Sequence, residues 1–193
     1  MVDSGGQYLY GTTDVTRTLS LDVNSSKIKE IFTRVLKGHI AVASYELNQE
    51  SSGDQIDLVA RKPLRDINLD YPHGTGHGVG CFLNVHEGPQ AISRGNKVKF
   101  KEGMITSNEP GFYKKNHFGI RIENLIYIKK IKNKLQFIDL TLAPIEKTLI
   151  EKKFLTSFEK YWLNSYHQRV YKSLKKFMNK FELTQLKQAC SNI

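Results

Sequence analysis

Hydrophobic and polar positions alternate near the start of the chain. Residues 12–21 read TTDVTRTLSL, and successive positions fall into two sets. One set is Val15, Arg17, Leu19 and Leu21, and the other is Asp14, Thr16, Thr18 and Ser20. Alternation of this kind, with several β-branched residues, predicts a strand. Residues 2–9 are expected to form the preceding strand, with a turn at Tyr10 and Gly11 between the two.

Two helices are predicted next. Ser25 and Ser26 offer an N-cap to a segment whose apolar residues recur at helical spacing. These residues are Ile28, Ile31, Phe32, Val35 and Leu36. We expect this helix to continue through Gly38 toward Tyr45. A second helix is predicted from about Asp54 to Asp66, and Pro63 is expected to perturb it.

The remainder of the chain changes character after Pro144. Before it, short strands are predicted at residues 98–100, 104–107, 119–128 and 135–142, with a basic hairpin tip at residues 130–134. From Thr156 onward, large apolar side chains recur at helical spacing and predict an amphipathic helical tail. They are Phe158, Trp162, Tyr166, Val170, Leu174, Phe177 and Phe181. We therefore divide the chain into residues 1–143 and a helical extension, residues 144–193.

Composition narrows the class of protein. The chain has 193 residues, 39% hydrophobic and 25% charged, which is typical of a globular protein. Its two cysteines, Cys81 and Cys190, cannot form a disulfide framework, so we expect a reducing, cytoplasmic compartment. The first residues lack the pattern of a signal peptide, and no apolar run approaches the roughly 20 residues of a membrane span. The net charge of +10 comes largely from lysines without interleaved Arg and Gly, so nucleic-acid binding is not expected.

Histidines and glycines are concentrated in one segment. Residues 71–89 (YPHGTGHGVGCFLNVHEGP) hold three of the six histidines, His73, His77 and His86, and five of the fourteen glycines. Glycine lets a backbone approach a ligand closely, and histidine is both a metal ligand and a proton carrier near neutral pH. The segment therefore indicates a site that needs further partners.

Four carboxylates could supply those partners. Asp3 and Asp14 converge if their strands pair as a hairpin, Glu109 lies at a strand end in SNEPGFY, and Glu123 shares a strand face with Arg121. Taken singly, Asp3 and Glu109 are better explained as turn formers or caps, and Glu123 as a partner of Arg121. Together with a histidine, they form an oxygen-rich donor set that suits Mn²⁺, Co²⁺ or Zn²⁺ in a two-metal site.

Five segments resemble the metal-site blocks of aminopeptidase P, in the pita-bread family of metallopeptidases. They are VDSGGQY, GTTDVTRT, HGTGHGVGCFLNVHEGP, ITSNEPGFY and GIRIEN, and they occur in the family's order. The tail from LTLAPIE through WLNSYH resembles the C-terminal extension of the cytosolic, longer-chain branch. The resemblance implies an α+β fold: a partial pita-bread fold with a curved, mostly antiparallel sheet and flanking helices, followed by the helical extension.

The same resemblance implies the roles of the site residues. The ligands of two divalent ions, Mn²⁺ or else Zn²⁺ or Co²⁺, would be Asp3, Asp14, His77, Glu109 and Glu123, with Asp14 and Glu123 bridging. The catalytic residues would be His73, His86 and Arg121. The two histidines would bind the substrate carbonyl or assist proton transfer, and Arg121 would orient a ligand carboxylate. The reaction would be removal of one N-terminal residue that precedes proline, by attack of a metal-activated hydroxide.

The resemblance breaks at the front of the chain. Complete relatives carry further domains before the first ligand strand, whereas Asp3 is nearly the first residue here. We therefore expect the C-terminal portion of a catalytic domain, with reduced or no activity alone, and a separate N-terminal chain is one conceivable partner. The resemblance also implies a homodimer formed through the C-terminal region. Three other interpretations stay open: a prolidase-like peptidase, a methionine-aminopeptidase-like peptidase, and a noncatalytic pita-bread binding module.

Overall fold

Helices and antiparallel strands are mixed along the computed structural model of the protein, which describes residues 1–21 and 25–193. The strands are β1 (Val2–Tyr8), β2 (Gly11–Arg17), β3 (Gly76–His77), β4 (Ala91–Ile92), β5 (Ile105–Asn108), β6 (Gly111–Lys114), β7 (Phe118–Arg121), β8 (Asn124–Ile131) and β9 (Lys134–Asp139). The helices are α1 (Ser26–Ala43), α2 (Gly53–Arg65), α3 (Ser157–Leu174) and α4 (Lys180–Ala189), with short 3₁₀ turns at Lys152–Phe154 and Lys175–Phe177. The predicted α+β content is confirmed.

The first two strands form the predicted hairpin. Its turn lies one residue earlier than expected, at Leu9 and Tyr10, since Tyr8 pairs with Gly11. β2 also ends at Arg17 instead of Leu21. The reason is a tertiary contact: the Thr18 hydroxyl hydrogen-bonds to the backbone N–H and C=O of Arg121, and Leu21 beyond it is 92% exposed. The apolar alternation past Arg17 therefore does not mark a buried face.

Helices α1 and α2 form as predicted and pack against each other. The Ser25 side chain caps α1 by accepting a hydrogen bond from the Ile28 N–H. Gly38 lies within α1, where it faces α2. A Cβ at this position would stand 2.3 Å from the Ala60 carbonyl oxygen. The glycine thus permits a close approach of the two helices, which offsets its low helix propensity.

Strand pairing is antiparallel throughout the described part of the chain and is divided among four small sheets. The largest is β5–β8–β9, and the other three are the pairs β1–β2, β3–β4 and β6–β7. The β8–β9 turn falls at Lys132 and Asn133, inside the predicted basic tip. Both residues have positive φ, 48° and 65°, as a two-residue hairpin turn with the twist of the strands requires.

Two strand predictions are wrong in part. Residues 98–100 form no strand and make a single bridge, between Lys99 and Ser52. Residues 119–128 form two strands instead of one, because the backbone N–H groups of Ile122 and Glu123 leave the ladder. Ile122 donates to the Pro110 carbonyl and Glu123 to the Thr16 carbonyl, at 3.3 and 3.1 Å. This break draws Glu123 toward the β1–β2 hairpin.

The C-terminal tail is helical, as predicted, but is broken into α3 and α4. Thr156 and Glu159 begin α3 with a reciprocal capping box. Tyr166 and Val170 are buried against α1 and residues 142–155, whereas three aromatic residues of the predicted stripe are exposed. These are Phe158, Phe177 and Phe181, at 56%, 70% and 72%. In residues 1–21 and 25–193, none of the helices combines the length and apolar character that crossing a membrane requires.

Candidate metal centre

The β1–β2 hairpin sets Asp3 and Asp14 side by side. Asp3 pairs with Thr16 and Asp14 pairs with Gly5, so the two carboxylates occupy diagonal positions on one face of the ribbon. The side chain of Asp14 is 13% exposed, and that of Asp3 is 53% exposed. Alternation along β2 sends Val15 and Arg17 to the opposite face. The hairpin predicted from the sequence therefore does bring both carboxylates together.

Ser107 joins His77 to Glu109. Its hydroxyl accepts a hydrogen bond from the His77 backbone N–H and donates one to Glu109 Oε1, both at 2.9 Å. The Glu109 backbone N–H donates to the Thr75 carbonyl at 2.7 Å. As a result, His77 Nε2 lies 3.3 Å from Glu109 Oε1 and 3.4 Å from Asp14 Oδ2.

Glu123 is the most buried of the predicted ligands, with its side chain 2% exposed. The Thr16 hydroxyl donates to its Oε2 at 2.5 Å, and Arg121 Nε donates to the same hydroxyl at 2.9 Å. Arg121 also forms an ion pair with Asp3. Arg121 and Thr16 thus hold carboxylates in position.

The five predicted ligands fall into two groups that share Glu123. In each group the ligand atoms lie within 4.8 Å of one another. The groups are Asp3, Asp14 and Glu123, and His77, Glu109 and Glu123. A cavity of about 420 Å³ adjoins both groups, and all eight site residues predicted from the sequence line it. The structure therefore brings together every residue of the predicted set.

Burial and mutual repulsion raise the pKa of two of these carboxylates. Burial, and then repulsion from Glu109 and Asp14, raise the pKa of Glu123 to about 7. Burial also raises the pKa of Glu109, with Asp14 adding to the effect against the opposing attraction of His77. Buried carboxylates this close together resist joint ionisation unless cations neutralise them. This donor set therefore fits two divalent ions.

The imidazole of His77 is oriented for a cation. Its Nδ1 lies 2.9 Å from the Gly78 carbonyl oxygen, which fixes the proton on Nδ1 and leaves Nε2 directed at the carboxylates. This is the usual arrangement of a metal-binding histidine. Burial works to lower the pKa of His77, but hydrogen bonding to Asp14 and the Gly78 carbonyl, with attraction from Glu109, raises it overall.

His73 belongs to a series of polar contacts that includes Tyr113, a residue that the sequence pattern did not predict. Its Nε2 lies 2.8 Å from the Tyr113 hydroxyl, which Arg121 NH1 approaches at 3.2 Å. Burial, and then the positive charges of Arg121 and Arg61, lower the pKa of His73, so its ring is neutral near pH 7. No local pattern in the sequence marks Tyr113, because its contact with His73 spans 40 positions.

His86 lies at the exposed side of the cavity. Its ring stands edge-on to that of His77, with 4.1 Å between the ring centroids. A third group of candidate ligand atoms also includes it, together with Asp14 and His77. His86 therefore lies beside the predicted ligands Asp14 and His77, and its position leaves the ring accessible to a substrate.

A buried network beneath the histidine segment was not predicted. Arg61 on α2 donates to Asp57 Oδ2 at 2.7 Å and to the backbone carbonyls of Tyr71 and His73. The Thr75 hydroxyl donates to the other Asp57 oxygen at 2.6 Å. The Arg61 guanidinium thus fixes the backbone at Tyr71 and His73, in the segment that leads to His77. The sequence signal was available as the i, i+4 pair Asp57 and Arg61 on one helix face.

Replacing Gly76 by alanine is expected to weaken metal uptake. A Cβ at this position would lie 2.0 Å from the Ser107 carbonyl oxygen, so β3 and β5 would separate and draw His77 away from Glu109. We expect a loss of about 1–3 kcal/mol in the free energy of unfolding, typical of overpacking, and lower Mn²⁺ affinity by calorimetry.

Gly38→Ala is the matched control for this prediction. Its Cβ would lie 2.3 Å from the Ala60 carbonyl oxygen, so it should also destabilise the fold, but it lies between α1 and α2, outside the metal cavity. Equal Mn²⁺ affinity in the two variants would contradict the prediction.

The chain is similar in sequence to known proteins. Residues 1–130 match the model of metallopeptidase family M24, and residues 133–193 match the C-terminal region of that family. Aminopeptidase P2 of Arabidopsis thaliana is 46% identical over 184 residues, which cover 90% of this chain and 26% of that protein.

Solved structures agree with this match. The X-prolyl aminopeptidase of Caenorhabditis elegans, described as a cytosolic enzyme with a di-nuclear active site, is 40% identical with a TM-score of 0.93, covering 99% of this chain and 33% of that one. The prolidase of Pyrococcus furiosus is 30% identical with a TM-score of 0.62, covering 70% and 39%.

These likenesses confirm the predicted pita-bread architecture. The chain spans between about a quarter and two fifths of the length of the relatives and structures named here. The match to the family model covers well over half of the chain. The chain belongs to metallopeptidase family M24.

Proposed function

We propose that this chain carries the metal centre of an aminopeptidase that removes an N-terminal residue preceding proline. One observation carries the proposal: two groups of ligand atoms, each within 4.8 Å, share the buried carboxylate of Glu123. Such an arrangement suits a pair of ions more than a single one. The likeness to an X-prolyl aminopeptidase over 99% of the chain supports this substrate class.

Asp3, Asp14 and Glu123 would hold one divalent ion, and His77, Glu109 and Glu123 the other, with Asp14 placed to bridge. Four carboxylates and one imidazole favour Mn²⁺, and Zn²⁺ or Co²⁺ would also suit the donors. Two such ions, when bound, supply Lewis-acid chemistry, because they lower the pKa of water and polarise a peptide carbonyl.

The remaining residues would bind and orient the peptide. His73 is neutral near pH 7, and its Nε2 faces the Tyr113 hydroxyl, so the pair can hold a substrate carbonyl or pass a proton. Arg121 links Tyr113 to Asp3 and, through Thr16, to Glu123. His86 would act at the open side of the cavity, where an incoming peptide meets the ligands.

A prolidase-like activity is the second candidate, because the prolidase of Pyrococcus furiosus shares the fold at a TM-score of 0.62. That likeness covers 70% of this chain, against 99% for the X-prolyl aminopeptidase. A methionine-aminopeptidase-like activity and a noncatalytic binding module remain weaker alternatives, and the complete ligand set argues against the module.

The test combines metal content with a peptide panel. We expect the purified chain, supplied with Mn²⁺, to take up two ions per molecule by elemental analysis. We expect hydrolysis by this chain alone to be reduced or absent, and any hydrolysis should favour Xaa-Pro tripeptides over Xaa-Pro dipeptides and Met-initiated peptides. Preference for dipeptides would favour a prolidase. Absence of metal uptake would reject the peptidase assignment in favour of a binding module.

Three further properties are part of the proposal. A cytoplasmic location is supported by the cytosolic C. elegans enzyme. A homodimer formed through the C-terminal extension is supported by the exposed rings of Phe158, Phe177 and Phe181. We place the start of that extension at residue 144. Light scattering on a variant with serine at Phe177 and Phe181 should report a lower mass than for the parent chain if the dimer forms there.

A further inference from the structure

Arg17 is a buried cation on the face of β2 that points away from the metal cavity. Its side chain reaches Ala143 and Pro144, where the C-terminal extension begins, and Tyr166 within that extension. Nε donates to the Pro144 carbonyl at 2.9 Å, and NH2 donates to the Ala143 carbonyl at 2.8 Å and contacts the Tyr166 hydroxyl at 3.1 Å. The residue itself is 8% exposed. These contacts tie α3 to β2.

The same guanidinium reaches the backbone that carries Glu123. NH1 donates to the Glu123 carbonyl at 2.6 Å and to the Thr16 carbonyl at 2.9 Å. NH2 donates to Asn124 Oδ1 at 2.7 Å. The Thr16 hydroxyl, on the opposite face of the strand, donates to the Glu123 carboxylate. Arg17 and Thr16 therefore hold Glu123 from both sides, one at its backbone and one at its side chain.

Asn124 extends the contact to a second strand. Its Nδ2 donates to Asp139 Oδ1 on β9 at 2.8 Å, and Arg169 on α3 donates to the Asp139 backbone carbonyl. Two residues of α3, Tyr166 and Arg169, thus contact the residues that flank or support Glu123. Arg17 contacts both the backbone around Glu123 and Tyr166 of α3. It can do so because a planar guanidinium with five N–H donors can bind several acceptors at once.

We propose that Arg17 is a positioning residue for the metal centre, through which Tyr166 of the C-terminal extension sets the place of Glu123. This inference rests on the proposed function, since it takes Glu123 as the ligand shared by both ions. It assigns the extension a role inside the catalytic unit. Removal of the Tyr166 hydroxyl should loosen Glu123 although no atom of Tyr166 lines the cavity.

Two substitutions test the inference. Arg17→Lys keeps the charge but loses the fork, and Tyr166→Phe removes one hydroxyl while keeping the ring that stacks on Trp162. We expect Mn²⁺ affinity to fall about 10- to 100-fold in the first, as when outer partners of a metal site are lost. In the second we expect about a 3- to 10-fold fall, the size of one net hydrogen bond. The visible spectrum of the Co²⁺-loaded protein should change in both.

Two controls separate positioning from loss of stability. Tyr171→Phe removes a hydroxyl from the same helix, where the ring lies beside Lys175. Leu163→Ala opens the core under α3, because Leu163 is fully buried, and lowers stability without touching Arg17. Both controls should keep the parent Mn²⁺ affinity and Co²⁺ spectrum. If Arg17→Lys fails to fold, the result for Tyr166→Phe by itself decides whether the positioning role is correct.

The outcomes distinguish this inference from the proposed function. Two ions bound by the parent chain and by Tyr166→Phe with equal affinity and identical Co²⁺ spectra would overturn the positioning role alone. An equal loss of affinity in Leu163→Ala would likewise overturn it, because stability would then explain the effect. A parent chain that takes up no ions would overturn the proposed function and this inference together.

Discussion

Replacing Glu123 by glutamine is expected to abolish the uptake of both ions. Glu123 belongs to both groups of ligand atoms, so one substitution removes an anionic donor from each. Glutamine keeps the shape, and its carbonyl can still accept the hydrogen bond from Thr16. We expect Mn²⁺ affinity to fall more than about 100-fold by calorimetry, beyond the loss of an outer partner. Any Xaa-Pro hydrolysis that the parent chain supports should fall on the order of 10³-fold, because several kcal/mol of charge stabilisation are lost.

The same substitution should stabilise the metal-free protein. The folded-state pKa of Glu123, about 7, lies above the ordinary 4.5, so ionisation opposes folding as the pH rises through that range. At pH 8 the difference is worth about 3 kcal/mol. Urea unfolding at pH 8 with a chelator should therefore show Glu123→Gln to be more stable than the parent chain. With Mn²⁺ added, the order should reverse, since bound ions stabilise only the parent.

Glu46→Gln serves as the control, because Glu46 is exposed and lies outside the cavity. It should match the parent chain in metal content and in stability with or without Mn²⁺. A Glu123→Gln protein that still binds two ions tightly would refute the shared-ligand arrangement.

The second large effect is loss of stability in acid through His39 and His167. Burial, and then the charge of Arg17, lower the pKa of His39 to about 3. Burial, with Lys147 and Arg17, lowers the pKa of His167 to about 4. Both side chains are fully buried, and each has one ring nitrogen without a hydrogen-bond partner among residues 1–21 and 25–193. Each imidazole therefore stays neutral in the folded state well below its ordinary pKa of 6.5.

The direction of the pH effect on stability follows from the number of protons that the folded and unfolded states bind. Below pH 6.5 the unfolded chain binds a proton at each histidine and the folded chain does not, so the free energy of unfolding decreases as the pH falls. Between pH 6.5 and pH 5 the expected loss is about 2 kcal/mol for each histidine, or about 4 kcal/mol for both. Titration of Glu123 acts in the opposite direction, so the contribution of each histidine is measured as a difference between variants.

His39→Gln and His167→Gln isolate that contribution. Urea unfolding of each variant and of the parent chain is measured at pH 7.5 and pH 5, with a chelator present. The change in stability between the two pH values should be more favourable by about 2 kcal/mol in each variant than in the parent. His117→Gln, at an exposed position, should behave as the parent does. Equal pH dependence in all four proteins would show that the buried histidines are protonated in the folded state.

The sequence by itself determined the chemistry of the site. The five motif segments contain all the residues that line the metal cavity, and two-residue alternation placed Asp3 and Asp14 on one face of a hairpin. It also determined the helices, because an N-cap such as Ser25 and an apolar face such as that of α1 are local signals. These features depend on residues near one another in the chain, so their spacing is sufficient to reveal them.

Only the tertiary structure decided how the ligands are supported. Arg17 contacts residues 106 to 149 positions away, and Tyr113 contacts His73 across 40 positions, so no local pattern encodes either pairing. Tertiary contacts also decided where β2 and β7 end. The Thr18 hydroxyl bonds to the Arg121 backbone and the Glu123 N–H donates to the Thr16 carbonyl, so neither residue extends its strand. Hydrogen bonds between distant segments form once packing brings them within about 3 Å. That packing depends on the volumes and directions of many side chains at once, which a one-dimensional pattern does not contain.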